Sequence, residues 1–231
     1  TKRKEMEEVL SALPQRILAA QESERERISR EIHDDLGQSL ATLKMFIQVG
    51  FEEHFAASIS HKRTFDKTIK YLDTIINKTR NLAAGLRPST LEVLGLKASL
   101  RSLINDFRNN KRLKVHVRMS ALDGIKFKGE TINFYRIIQK ALTNIISHAQ
   151  AQNVQVVFSR QKKQLITKIK DDGKGFITEK LAQENPPSRG LGLSTMQERA
   201  TLLGGNLHIY SEPNKGTVIT LTVPIVQSHD I

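Results

Sequence analysis

Glu24-Arg25-Glu26-Arg27-Ile28-Ser29-Arg30-Glu31-Ile32-His33-Asp34-Asp35-Leu36-Gly37-Gln38 sets one histidine in the middle of a long charged helix, among carboxylates, with a glycine one turn further on. Glycine inside a helix costs roughly 1 kcal/mol relative to alanine, so Gly37 stands for something other than stability. One reason is to clear the surface beside His33 so that another body can approach closely. A lone histidine on such a helix is ordinarily a solvated one. What gives His33 chemical meaning lies far downstream.

Outward from this stretch the apolar residues run Leu36, Leu40, Leu43, Ile47, and on a second segment Phe65, Ile69, Leu72, Ile76, Thr79, Ala83. Sustained three- and four-residue spacing is the signature of packed helices. Two helices cannot bury such stripes well alone, which predicts a homodimer forming a four-helix bundle. Upstream, Met6, Leu10, Leu13 and Ile17 form a further stripe interrupted by Pro14, where a break or kink is expected. Arg87-Pro88 predicts the end of the second long helix. Leu91, Leu94, Leu96, Leu100, Leu103 and Phe107 predict another helix leading into a second domain.

From about residue 112 the pattern changes. Alternation at Val115 and Val117, at Val154, Val156 and Phe158, and over 165–170, 206–211 and 217–223 predicts strands, the last ending at Pro224. Residues 130–149 and 192–203 read as helices. Helices set apart from a largely antiparallel sheet make an α+β sandwich.

Length suits two modest domains, and Thr1 with no signal peptide reads as the start of a piece cut from something longer. The chain has no cysteine, which excludes a disulfide framework and thiolate metal sites and fits a reducing cytoplasm. No apolar run approaches the roughly 20 residues that span a bilayer, so this portion reads as soluble. A net charge of +12 would suit nucleic acid or an anionic surface. The excess is dispersed, aromatics are few and no nucleic-acid motif is present, so no nucleic-acid partner is expected. Basic surface near a nucleotide phosphate or an acidic protein is the milder explanation.

Four segments of the second half carry chemistry when read together. Gln139-Lys140-Ala141-Leu142-Thr143-Asn144-Ile145-Ile146-Ser147-His148-Ala149 is helical, and helical spacing puts Lys140, Asn144 and Ser147 on one face. Asp171-Asp172-Gly173-Lys174-Gly175-Phe176 directly follows a strand, Ser188-Arg189-Gly190-Leu191-Gly192-Leu193 opens a helix, and Gly204-Gly205 precedes Gly216-Thr217 in the closing strands. Glycines at such junctions let backbone approach a ligand, and helix N-termini offer N–H groups to phosphates. The spacing is neither that of a P-loop nor that of a dinucleotide fold.

In this order the segments resemble the N, G1 and G2 boxes of the gyrase/Hsp90/histidine-kinase/MutL ATPases. Glu31 to Gln38, with Leu86-Arg87-Pro88 and Leu94-Gly95-Leu96, resembles the dimerisation and histidine-phosphotransfer domain of sensor histidine kinases, in the subfamily paired with LuxR-type response regulators. The resemblance covers about residues 20–226. It implies a multidomain α and α+β chain: a signalling coiled-coil linker (1–20), a dimeric four-helix-bundle phosphotransfer domain (21–108), an α/β sandwich ATP-binding domain (109–226) and a tail (227–231). It implies ATP and Mg²⁺ as cofactors. The implied partners are a second copy of the chain and a response regulator receiver domain, with the sensor upstream of Thr1. The piece would be cytoplasmic in a bacterium, with membrane anchoring of the whole protein left open.

Residue by residue, the resemblance makes His33 the phosphoacceptor, Asp34 the group that orients its ring or takes its proton, and Gln38 the residue that positions water for dephosphorylating the regulator. It assigns nucleotide binding to Asn144, His148, Asp171, Gly173, Gly175, Gly190, Gly192 and Thr217. Asn144 would be the Mg²⁺ ligand, Asp171 would read the adenine amino group, and segment 176–189 would be a short lid. Lys140 and Ser147 depart from the family, which carries Glu and Lys there. Either Lys140 reaches toward the phosphates, or its ammonium disfavours the metal; a retained but reduced kinase is expected. The competing readings are a signalling scaffold that binds nucleotide poorly and a basic coiled-coil protein that binds nucleic acid.

Overall fold

The computed structural model describes residues 2–54, 59–86, 91, 93–109, 113–177 and 191–226, of which 2–12, 52–54, 59–61, 81, 84 and 191 are described by backbone alone. The chain divides into two compact units, Thr1–Ser89 and Thr90–Ile231. The first unit is helical. Helix α1 (Lys2–Glu31) passes through a π-helical turn (Ile32–Gly37) into α2 (Gln38–His54), and α3 (Ile59–Leu86) returns alongside. Pro14 does not end α1 as expected: it lies inside the helix, where a missing N–H removes one hydrogen bond and propagation on both sides carries the turn through.

Three contacts fix the antiparallel pairing. Ser29 Oγ donates to the Ala83 carbonyl at 2.9 Å, Lys44 Nζ pairs with Asp73 at 2.6 Å, and Phe51 stacks on Phe65 at 3.9 Å between ring centroids. The expected stripe on α3 turns inward, with Leu72, Ile76, Thr79 and Ala83 buried. The stripe on α2 does not. Leu36 and Leu43 stay 51% and 48% exposed, beside Met45, Phe46 and Val49.

The second unit packs helices α4 (Gly95–Arg108), α5 (Thr131–Asn144) and α6 (Leu191–Leu202) with one mixed sheet. Its strands are β1 (Lys114–Arg118), β2 (Lys126–Phe127), β3 (Asn153–Gln161), β4 (Gln164–Asp171), β5 (Asn206–Glu212) and β6 (Gly216–Val226). The order is β1-β3-β4-β6-β2 with β5 also on β6; β1 pairs with β3 in parallel and every other pair is antiparallel. Leu100, Phe134, Ile138 and Leu142 from the helices share a core with Val156, Phe158, Leu165 and Leu221 from the sheet. Helix α4 contributes its buried face to that core, so it groups with the second unit, whereas the boundary expected from the sequence falls after it.

Strand β2 escaped the sequence, because two residues carry no periodicity. It exists because β6 does not stop at Pro224: Phe127 pairs with Ile225 and Lys126 with Val226, while the Ile225 N–H reaches the Lys163 carbonyl at 2.8 Å. The expected helix end at Arg87-Pro88 and the tail 227–231 lie outside the described residues.

Candidate active site

A cavity of about 760 Å³ opens in the second unit beside α5, the end of β4 and the start of α6. Asn144, His148, Asp171, Gly175, Gly192 and Thr217 all line it, together with an apolar wall that includes Ile145, Leu193 and Ile219. Strand and helix ends thus deliver the expected set to one place, Gly173 lying just behind it and Gly190 lying outside the described residues.

The two adjacent aspartates do different work. Asp171 ends β4 facing inward and is 3% exposed, with Oδ1 accepting the Gly173 N–H at 2.9 Å. Burial pushes its carboxyl above the usual range, and the N–H groups of Gly173 and Thr217 hold it part of the way back. Asp172 faces out. Its Oδ1 accepts the N–H groups of Gln152 and Asn153, each at 2.8 Å, and its Oδ2 accepts Asn153 Nδ2 at 2.6 Å. Partial burial pushes that carboxyl up, but the hydrogen bonds from Asn153 and Gln152 outweigh it and hold it low. Asp171 therefore presents a buried carboxylate at the cavity, and Asp172 clamps the loop that leads into β3.

The glycines serve the main chain first. Gly175 and Gly216 have φ of +56° and +79°, a region that side-chain-bearing residues rarely adopt. A Cβ at Gly216 would stand 2.8 Å from the Asp171 carbonyl carbon, and one at Gly175 2.8 Å from that of Glu212. A Cβ at Gly173 would lie 2.7 Å from Ala149 Cβ. These residues let segments cross at the cavity floor, and only Gly175 and Gly192 also reach its lining.

Helical spacing placed Ser147 beside Lys140 and Asn144, and the structure corrects this. After Asn144 the helix widens into a π-helical turn, Ile145–Ala149. An α-helix rotates about 100° per residue, so one additional residue in a turn moves every later side chain around by that much. His148 takes the cavity position, and Ser147 does not line it. The turn ends at Gln150 with φ of +55°, and the Ala149 carbonyl accepts the Lys174 N–H at 2.8 Å.

Two residues at this site carried no sequence signal. Buried Ser211 gathers the Phe176 N–H at 3.0 Å, the Thr217 hydroxyl at 2.9 Å and the Gly216 carbonyl at 3.0 Å. Buried Arg199 donates to Asn133 Oδ1 at 2.7 Å and ties α6 to α5. A serine at an inward position of β5, and an arginine on the core face of α6, were the available hints.

In the first unit, His33 stands on the π-helical turn with its side chain 70% exposed, and its Nδ1 lies 3.0 Å from Asp34 Oδ1. An ionised carboxylate can only accept, so a neutral imidazole held by this contact is the tautomer with Nδ1–H and the lone pair on Nε2. Gln38 opens α2 directly after the turn and is exposed. A Cβ at Gly37 would touch only the Ile32 carbonyl at 3.7 Å, an ordinary contact, so nothing inside this unit requires the glycine.

Residues 24–91 match the family described as histidine kinase, and residues 129–227 match the histidine kinase-, DNA gyrase B-, and HSP90-like ATPases. This chain belongs to the histidine kinases. The kinase is 35% identical over 215 residues to the oxygen sensor histidine kinase NreB of Staphylococcus carnosus, covering 91% of this chain and 59% of NreB. It is 35% identical over 210 residues to the sensor histidine kinase LiaS of Bacillus subtilis, covering 87% of this chain and 54% of LiaS. Among solved structures, the blue-light activated histidine kinase of Erythrobacter litoralis EL346 is similar at 18% identity and a TM-score of 0.48, over 83% of this chain and 62% of that one. The kinase chain spans little more than half the length of NreB and LiaS. Among its described residues no helix is long and apolar enough to cross a membrane.

Proposed function

We propose that this chain is the catalytic core of a sensor histidine kinase, in which His33 takes the γ-phosphoryl group of ATP and passes it to an aspartate of a response regulator. The observation that carries this reading is the approach of His33 Nδ1 to Asp34 Oδ1 at 3.0 Å on an exposed side chain; in the neutral imidazole this contact leaves the Nε2 lone pair as the nucleophile. Nε2 attacks the γ-phosphorus, the bond to the bridging β-γ oxygen breaks and ADP leaves. Asp34 stabilises the imidazolium that forms or takes its Nδ1 proton. Gln38, four residues on, is placed to position water for the reverse work of dephosphorylating the regulator.

The cavity fits the nucleotide. A buried carboxylate at one end can accept from an adenine amino group, apolar side chains flank it, and polar groups of α5 line the rest. Mg²⁺ habitually takes one or two protein ligands beside substrate phosphates and waters, so Asn144 suits it as the sole protein ligand. Among the described residues there is no cluster of three His, Asp or Glu that would hold a metal more fully. Bound there, the ion would offset phosphate charge during transfer.

The reading includes a homodimer, a regulator with a LuxR-type output, and a cytoplasmic setting. Leu36, Leu43 and Phe46, left exposed by one chain, support a dimeric bundle. The test is incubation with γ-labelled ATP and Mg²⁺. Acid-labile, base-stable label that vanishes in His33→Gln while ATP affinity stays unchanged is expected; label that survives the substitution overturns the assignment.

A further inference from the structure

We infer that Lys140 is a resident counter-cation for the nucleotide's phosphates, so that this site binds ATP with less dependence on divalent metal than a carboxylate at that position would allow. The inference rests on the nucleotide-site reading above. Lys140 stands on α5 one turn before Asn144 and lines the same cavity. Its arm lies across Gly192, the second residue of α6: a Cβ there would overlap Lys140 Cε and stand 3.1 Å from Nζ. Gly192 leaves the room in which the lysine lies.

The charge around that ammonium is unanswered. Among the described residues Lys140 makes no ion pair or hydrogen bond. Among the described residues the one carboxylate lining the cavity, Asp171, is buried and turned toward the N–H groups of Gly173 and Thr217. Lys174 lines the cavity as well, so among the described residues two ammonium groups face one buried acid there, with Asn144, His148 and Thr217 the other polar side chains. Adenine and ribose have no use for that charge. A polyphosphate does, and an ammonium meets it directly, whereas a carboxylate at 140 could face phosphate only through a bridging cation.

The experiment measures ATP and adenosine affinities by titration, with Mg²⁺ and with EDTA, for the unaltered chain, Lys140→Met and Lys140→Glu. The unaltered chain is expected to bind ATP in EDTA within about tenfold of its Mg²⁺ affinity, and Lys140→Met to lose about ten- to a hundredfold in EDTA, the range of one charge-assisted hydrogen bond. Lys140→Glu should bind ATP only with Mg²⁺. Adenosine affinity should be the same in all three, which also reports that each variant is folded. Lys140→Met binding ATP in EDTA as tightly as the unaltered chain overturns the inference and leaves the nucleotide site standing. Failure of the unaltered chain to bind either ligand overturns the nucleotide site and the inference together.

Discussion

Two helices of this chain widen into a π-helical turn beside a residue with a chemical role, and their surroundings are opposite. At Ile32–Gly37 no residue is buried, the His33 side chain is exposed, and its one partner among the described residues is the neighbouring Asp34. At Ile145–Ala149 the turn abuts a floor of crossing backbone, its Ala149 carbonyl is taken by Lys174, and the carboxylate across the cavity is desolvated. Both use the extra residue to change which side chains face outward from the helix. In the proposed function the first presents a group that two partners reach in turn, ATP and a receiver domain, which calls for an open site, and the second holds one ligand in one pose, which calls for a boxed-in one.

The comparison breaks most visibly at Asp34. If the open site works by a single local hydrogen bond, Asp34→Asn should slow autophosphorylation about 10²- to 10⁴-fold, the usual range for a lost acid–base partner, and leave ATP affinity unchanged. A single-turnover labelling assay beside an ATP titration reads both; an equal loss in affinity would mean that the two sites are not separate.

Asp171 tests the boxed-in site. Asp171→Asn puts an amide donor where an acceptor is needed and should weaken ATP binding about a hundredfold, as expected when a buried polar pair is mismatched. Its effect on stability should have the opposite sign. A carboxyl whose pKa is raised on folding gives stability that is full below the unfolded value of about 4 and is lost as pH rises through the folded value. Above that window the ATP-free domain carries an ionised, desolvated Asp171, and Asp171→Asn removes the burden. Thermal unfolding without nucleotide should show the variant more stable near neutral pH, the gain shrinking as pH falls toward 4. A gain that does not change with pH would contradict desolvation of the carboxylate as its cause.

Gly37 sharpens the contrast with the smallest effect. Because nothing in its unit fills the space of a Cβ, Gly37→Ala should stabilise the helix by about 1 kcal/mol, a rise of about 2–4 °C in melting temperature, while lowering phosphorylation of His33. Unchanged phosphorylation would remove the reason proposed for the glycine. Each of the three glycines at the cavity floor is different in kind, since a side chain there would meet backbone and cost stability outright.

The identity of the elements was legible because apolar spacing is a local property. The stripes on α2 and α3 and the alternation of β3 and β4 all came from residues within a few turns of one another. The same holds for much of the site: strand-to-glycine junctions flagged Asp171 and Gly175, and the order of the boxes joined them to Asn144 and Thr217. Where local pattern misled, a distant partner was deciding. Strand β2 exists only because β6 runs past Pro224, and α1 survives Pro14 because the helix on either side does. Ser147 left the cavity face because a π-helical turn, closed by contacts from Lys174 and Gly173, shifted the phase of the helix, while His148 stayed on it.

By itself, then, the sequence determined the two-unit organisation, the histidine with its carboxylate neighbour, and most of the inventory of residues around the cavity of the second unit. Those follow from periodicity, charge and short-range spacing, which are written along the chain. Tertiary structure decided which of two adjacent aspartates is buried at the cavity and which clamps a loop, which of two adjacent residues in the turn after α5 faces the cavity, and that Lys140 lies across Gly192 with no acid beside it among the described residues. Those depend on burial and on where segments far apart in the chain cross, and a linear pattern holds neither.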